Sequence, residues 1–127
     1  MPASDEAIAL AVVAAAAAED RSATDPVVLE VADVLVLADL FLVVSVSNER
    51  QLGAVASAIE EALHGHGRRP LRREGVPSSG WVLLDFGDLV CHVLHTEQRD
   101  FYALERLWAD VPHRDPATGA VLVPDAG

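Results

Sequence analysis

Asp85 and Asp88 stand three residues apart, and His92 follows four residues later. Two carboxylates at that spacing could hold a divalent cation or share acid–base work. An imidazole beside them could move a proton near neutral pH. The same residues have plainer uses. Asp85-Phe86-Gly87-Asp88 has the composition of a tight turn, which draws on Asp side-chain acceptors and on Gly. His92 lies in an apolar run, where a hydrogen-bonded core or interface histidine is commoner than a base. His92 and His95 have opposite strand parity, so a continuous strand would keep them from one metal. His64 and His66 end a helical pattern without a nearby cysteine, which is weak evidence for zinc. Cys91 is the sole cysteine; it excludes an internal disulfide, fits a reducing compartment and reads as a buried strand residue rather than a nucleophile. There is no GxGxxG, GxxxxGK[ST] or GxSxG pattern. Nothing sets a nucleophile beside a base, so the residues give no positive reason to assign catalysis. No cofactor and no resident metal are expected.

The elements that must position these groups lie in Trp81–Trp108, which holds five of the six aromatic residues. Two apolar runs flank Phe86-Gly87-Asp88, and a short connection containing Gly signals a hairpin. Trp81–Asp85 and Leu89–Leu94 are therefore read as antiparallel strands joined by a three-residue turn that pairs Asp85 with Leu89. Alternation then puts Trp81, Leu83 and Asp85 on one side. Both strands are apolar on both faces, so the sheet must be covered twice. The chain's own helices can cover one side, and either they or another molecule the other.

Upstream, Ser4 can cap a helix running to about Glu19, with Ile8 and Val12 facing inward and an Ala-rich flank. Arg21–Pro26 reads as a linker, Val27–Val31 as a strand, Val34–Asp39 as a connector and Leu40–Ser45 as a stronger strand. Ser47 or Asn48 caps a second helix whose apolar stripe is Leu52, Val55, Ala56, Ile59 and Leu63. Arg68, Arg69, Arg72 and Arg73 form the sole basic cluster, read as a solvated edge segment that could also touch RNA. Glu74–Gly80 reads as a loop, as does His95–Gln98. Arg99 or Asp100 opens a third helix with Phe101, Leu104 and Trp108 inward and Tyr102 about 100° away. Residues 1–111 are expected to form one domain and 112–127 a mobile tail. A strand–helix–strand step followed by a hairpin predicts an α/β fold with a mixed sheet flanked by helices.

The chain has 127 residues, 51% of them hydrophobic, enough for one core. Its net charge is -11, and all nine basic residues are Arg. An acidic domain is a poor general nucleic-acid binder, so DNA is not an expected partner, and a basic protein surface is a better match. No apolar run reaches the length of a membrane span, and acidic residues occupy the start where a signal peptide would be positive. No membrane association is expected, and the inferred location is cytoplasmic.

A set of residues in order then resembles the ribosomal silencing factor family, also called Iojap-like, over about Asp5 to Val111. The matching pieces are Asp39 with Phe41, Ser45, Arg50-Gln51, Glu74-Gly75, Trp81, Leu84-Asp85, Gly87-Asp88 and Val90 with His92. Arg99, Phe101-Tyr102, Leu104-Glu105 and Leu107-Trp108 complete them. Val46 stands where the family usually has Gly, and Ala38 where it usually has Thr, which puts the turn after that strand in question. The resemblance implies a nucleotidyltransferase-like fold without its catalytic site. It further implies binding to the large ribosomal subunit through its protein number fourteen, a steric block on small-subunit joining, repression of translation, and dimers when free. On that reading Trp81, Leu89 and Tyr102 are the expected contact anchors, with Asp85, Asp88, His92 and Arg99 as polar contacts around them. Two alternatives stay open: a metal-dependent enzyme acting on nucleotides through Asp85, Asp88 and His92, and a structural homodimer.

Overall fold

A computed structural model describes residues 3–32, 38–102 and 111–122. Among them the chain builds α1 (Asp5–Asp20), β1 (Thr24–Glu30), β2 (Leu40–Val46), α2 (Glu49–His64), β3 (Arg72–Glu74), β4 (Trp81–Asp85), β5 (Leu89–His95), α3 (Thr96–Tyr102), β6 (His113–Arg114) and β7 (Val121–Leu122). The strands form one mixed sheet in the order β3-β4-β5-β2-β1-β6-β7. β2 and β5 are parallel, joined by a crossover that includes α2, and the other pairs are antiparallel. The expected α/β architecture with a mixed sheet is the observed one.

Both long helices start on side-chain caps. The Ser4 hydroxyl accepts from the Ala7 N–H at 3.1 Å, and the Asn48 carbonyl oxygen accepts from the Gln51 N–H at 2.8 Å. Each satisfies a backbone donor that the first turn leaves without a helical partner. Gln51 reaches back to the Ser47 N–H at 2.7 Å and donates to the Arg21 carbonyl at 3.1 Å, tying the start of α2 to the end of α1. Leu52, Val55, Ala56, Ile59 and Leu63 are all buried, as the spacing predicts. Val46 continues β2 and is buried in the core, so the chain turns at Ser47 without a Gly.

α1 departs from expectation. Its buried face is Ala7, Leu10, Ala11, Ala14, Ala15 and Ala18, while Ile8 and Val12 are only partly buried on a flank. Alanine has no bulk beyond Cβ, so this face lets α1 lie close to α2 and the sheet, and the larger residues are turned aside. They meet the C-terminal segment instead: a Cβ at Gly119 would stand 2.6 Å from Ile8.

The segment after Val111, expected to be a tail, supplies β6 and β7. His113 and Arg114 pair with Leu29 and Val28, and Arg114 lies 3.3 Å from Glu30. The sheet therefore continues past 111, because β1 has a second edge that needs a partner. Residues 123–127 lie outside the described residues. The third helix begins at Thr96, earlier than expected, and β5 runs on through His95.

The core lies on one sheet face. Val28, Leu40, Leu42, Val44, Val82, Leu84, Phe86, Leu89, Cys91 and Val93 meet α1 and α2 there. On the opposite face Leu29, Val43, Val90 and Leu94 are buried, but Val27, Phe41, Trp81 and Leu83 are only partly covered.

Candidate functional site

The hairpin of β4 and β5 decides which residues can meet a partner. Phe86 faces Leu89 across the turn, its N–H donating to the Leu89 carbonyl at 2.8 Å. Only Gly87 and Asp88 make the turn, and Asp85 pairs with Val90 rather than Leu89. Gly87 takes φ +95°, the conformation that Gly supplies in a two-residue hairpin turn. The Asp85 carboxylate accepts from the Gly87 N–H at 2.8 Å and braces the turn. A register that differs by one residue exchanges the faces of the whole second strand. Leu89 consequently joins the core, fully buried and opposite to Trp81. That corrects its expected place as an anchor: no partner reaches it while the sheet is intact.

Trp81, Leu83 and Asp85 share their face with Val90, His92 and Leu94. His92 sits between two aromatic rings. The Trp81 indole N–H donates to His92 Nδ1 at 3.2 Å, across the diagonal of the strand pair. On the other side the Phe41 ring meets the imidazole edge-on at 4.7 Å between centroids. Trp81, His92 and Phe41 thus form a row across β4, β5 and β2. Beside it, Glu74, Gly75, Trp81 and Leu83 line an open cleft of about 320 Å³. Gly75, at φ +82°, is required there, since a Cβ would fall 2.1 Å from the Trp81 carbonyl oxygen.

His92 is 5% exposed, and burial pushes its pKa down to about 4. It is neutral at pH 7. Because Nδ1 accepts from Trp81, the ring proton resides on Nε2, and Nε2 is buried with no partner among the described residues. An unpaired buried donor costs about 1–3 kcal/mol. Burial also raises the Cys91 thiol well above its ordinary value, which leaves it a protonated core residue.

The remaining polar candidates act within the fold. Asp88 accepts from Arg68 at 2.6 Å, and its carbonyl accepts from the Asp39 and Leu40 N–H groups. Arg68 also bonds the Phe86 carbonyl at 2.8 Å and Glu6 at 3.1 Å, joining α1 to the hairpin turn. The hydrogen bond to Asp88, set against partial burial, raises the Arg68 pKa. Arg72 is 3.6 Å from Asp85, and Arg73 is 2.8 Å from Glu60. Much of the basic cluster is therefore matched by the chain's own acids. Arg99 is 6% exposed and donates to the Ser45 hydroxyl at 2.9 Å and to the Asp25 carbonyl, fastening α3 to β2 and β1. Tyr102 closes α3, and its side chain lies outside the described residues, as do Leu104 and Trp108. Asp85, Asp88 and His92 do not converge: Asp88 turns to Arg68, Asp85 to its own turn and His92 to Trp81. No group of three or more metal-ligating side chains occurs among the described residues. Sequence reasoning missed Phe41 as a member of the partly covered face. The period-two alternation from Trp81 already placed Leu83 there, and only the β2–β5 register adds Phe41.

The family profile described as "Ribosomal silencing factor during starvation" matches residues 4–124. This chain belongs to the ribosomal silencing factor family. It is 37% identical over 103 residues to "Ribosomal silencing factor RsfS" of Bacillus subtilis, a match covering 81% of this chain and 87% of that protein. It is 31% identical over 105 residues to "Protein Iojap, chloroplastic" of Zea mays, where the match spans 46% of the longer plant protein. A crystal structure of a Chromobacterium violaceum protein superposes with a TM-score of 0.76 at 32% identity, covering 80% of this chain and 84% of that one. The silencing factor match runs through β6 and β7, in accord with their place in the sheet. Several residues that carried the resemblance have structural reasons: Gln51 in the α2 cap, Gly75 beneath Trp81, Asp88 on Arg68, and Arg99 on Ser45. Membership of the ribosomal silencing factor family gives the chain a general role in regulating translation.

Proposed function

We propose that this chain docks on the large ribosomal subunit, against its protein number fourteen, and keeps the small subunit from joining. It acts by occupying space; no bond is made or broken. The observation that carries this reading is the partly covered patch of Trp81, Leu83 and Phe41 on the sheet face opposite α1 and α2, in a silencing factor. Aromatic side chains that keep part of their surface in water are common binding anchors. Asp85 lies on the same face at its rim, and Tyr102 remains a proposed contact on α3. Asp88 and Arg99 support that face through their bonds within the fold. The net charge of -11 suits the basic surface of a ribosomal protein.

Co-sedimentation with isolated large subunits, followed by addition of small subunits, tests the reading. The protein should pellet with large subunits and reduce the yield of joined ribosomes. Trp81→Ala should weaken binding by about 30-fold, the ~2 kcal/mol typical of a central aromatic anchor, while the fold persists by circular dichroism. Joined ribosomes forming at the normal yield under saturating protein would refute the steric mechanism.

A further inference from the structure

Resting on the reading of the Trp81 face as the docking surface, we infer that His92 is a positioning residue. It takes up the indole N–H of Trp81, so that the ring offers a partner only carbon. The chemistry of the receiving site follows. It is an apolar pocket with no acceptor set aside for an indole nitrogen.

Three observations converge on this. First, the indole N–H is already spent, donating to His92 Nδ1 at 3.2 Å. Tryptophan at an interface commonly uses that donor toward its partner or water; here it is turned back into the sheet. Second, His92 itself cannot be a contact, since it is 5% exposed. Whatever it does for binding it does through a neighbour. Third, the imidazole is held on its other side by Phe41, edge-on at 4.7 Å, and Val43 of β2 is its cross-strand partner. The acceptor atom is therefore fixed by packing, and the indole takes its orientation from it. The depressed basicity of the buried ring supports the same arrangement, because a neutral imidazole keeps a lone pair on Nδ1. Protonation would convert that acceptor into a donor facing a donor. Among the described residues, the other charged or titratable groups that strand pairing puts on this face are Asp85, across from Val90, with Arg72 and Glu74 beside it on β3, and His113, across from Leu29; α3 adds Arg99, engaged with Ser45.

The test uses the full chain and isolated large subunits. His92→Asn keeps an acceptor at the same reach from the backbone; His92→Leu removes it at similar volume. The indole N–H resonance of Trp81, assigned by its loss in Trp81→Phe, should stay downfield and slow to exchange in wild type and in His92→Asn. In His92→Leu it should move upfield and exchange faster. Subunit binding should fall about tenfold in His92→Leu and much less in His92→Asn, the order expected for one hydrogen bond that orients an anchor. In a Trp81→Phe background the two His92 variants should bind alike. Trp81→Phe alone should keep most of the binding that Trp81→Ala loses, a comparison that needs no His92 variant to fold. An indole resonance indifferent to His92→Leu would overturn the inference. So would a binding difference between the His92 variants that persists without the indole N–H, or Trp81→Phe binding as poorly as Trp81→Ala. If wild-type protein does not bind the subunit at all, the docking reading fails. The indole resonance would still decide whether His92 orients Trp81.

Discussion

His92 makes the chain's stability depend on pH in a defined direction. Its folded pKa is about 4, against an ordinary value near 6.5. Between those values the unfolded chain binds a proton that the folded chain refuses, so stability falls as pH drops from 6.5 toward 4 and levels off below. The loss attributable to this one group is on the order of 3 kcal/mol. Urea unfolding at pH 7, 5.5 and 4.5 should show wild type losing more than His92→Asn over that window, since titrating carboxylates are common to both. Equal losses would place the acid sensitivity elsewhere. Leu89 separates packing from binding. It is fully buried, so Leu89→Ala should cost about 2–5 kcal/mol of stability. The fraction that remains folded should bind large subunits as wild type does, because the side chain faces α1 and α2 and not a partner.

Among the elements, the hairpin and the last two strands carry the most consequence. The hairpin register differs by one residue from the three-residue turn read in the sequence, which paired Asp85 with Leu89. The two-residue turn wins because Gly87 can take positive φ and Asp85 and Arg68 brace its flanks. That single step decides that His92 rather than Cys91 lies beside Trp81. β6 and β7 shield an edge of β1 and the Ile8 flank of α1. A chain ending at Val111 should therefore lose at least about 2 kcal/mol of stability from uncovered apolar surface, and should self-associate through the bared edge of β1. Thermal melting and light scattering across dilution check both. A truncated chain that melts with wild type would show β6 and β7 to be dispensable.

At the scale of the whole molecule, charge and coverage set how it meets a partner. The chain carries 20 acidic and nine basic residues, and Arg68, Arg72 and Arg73 are engaged by its own acids. The field a partner feels is accordingly negative. Association with a basic surface should be steered, with an on-rate that falls as salt rises while the off-rate changes little. Stopped-flow association at low and high salt reads this directly, and an on-rate indifferent to salt would count against steering. No helix among the described residues is long and apolar enough to cross a membrane.

Much was legible in the sequence because it depends on local periodicity. The helix faces of α2, the strands β2, β4 and β5, the parallel step across α2 and the antiparallel hairpin all follow from patterns within a few residues of one another. The family is legible in the same way, from scattered residues kept in order. What only the tertiary structure decided were matters of long-range partnership. The alanines of α1 form its buried face because the sheet and α2 approach closely enough to select small side chains. Arg68 and Arg99, charged residues that a linear reading leaves on the surface, are drawn inward because carboxylates, carbonyls and a hydroxyl from distant elements meet them there. Leu89 and His92 exchange faces relative to the sequence reading because a strand presents alternate faces, and which face is outward depends on the partner strand rather than on the strand itself.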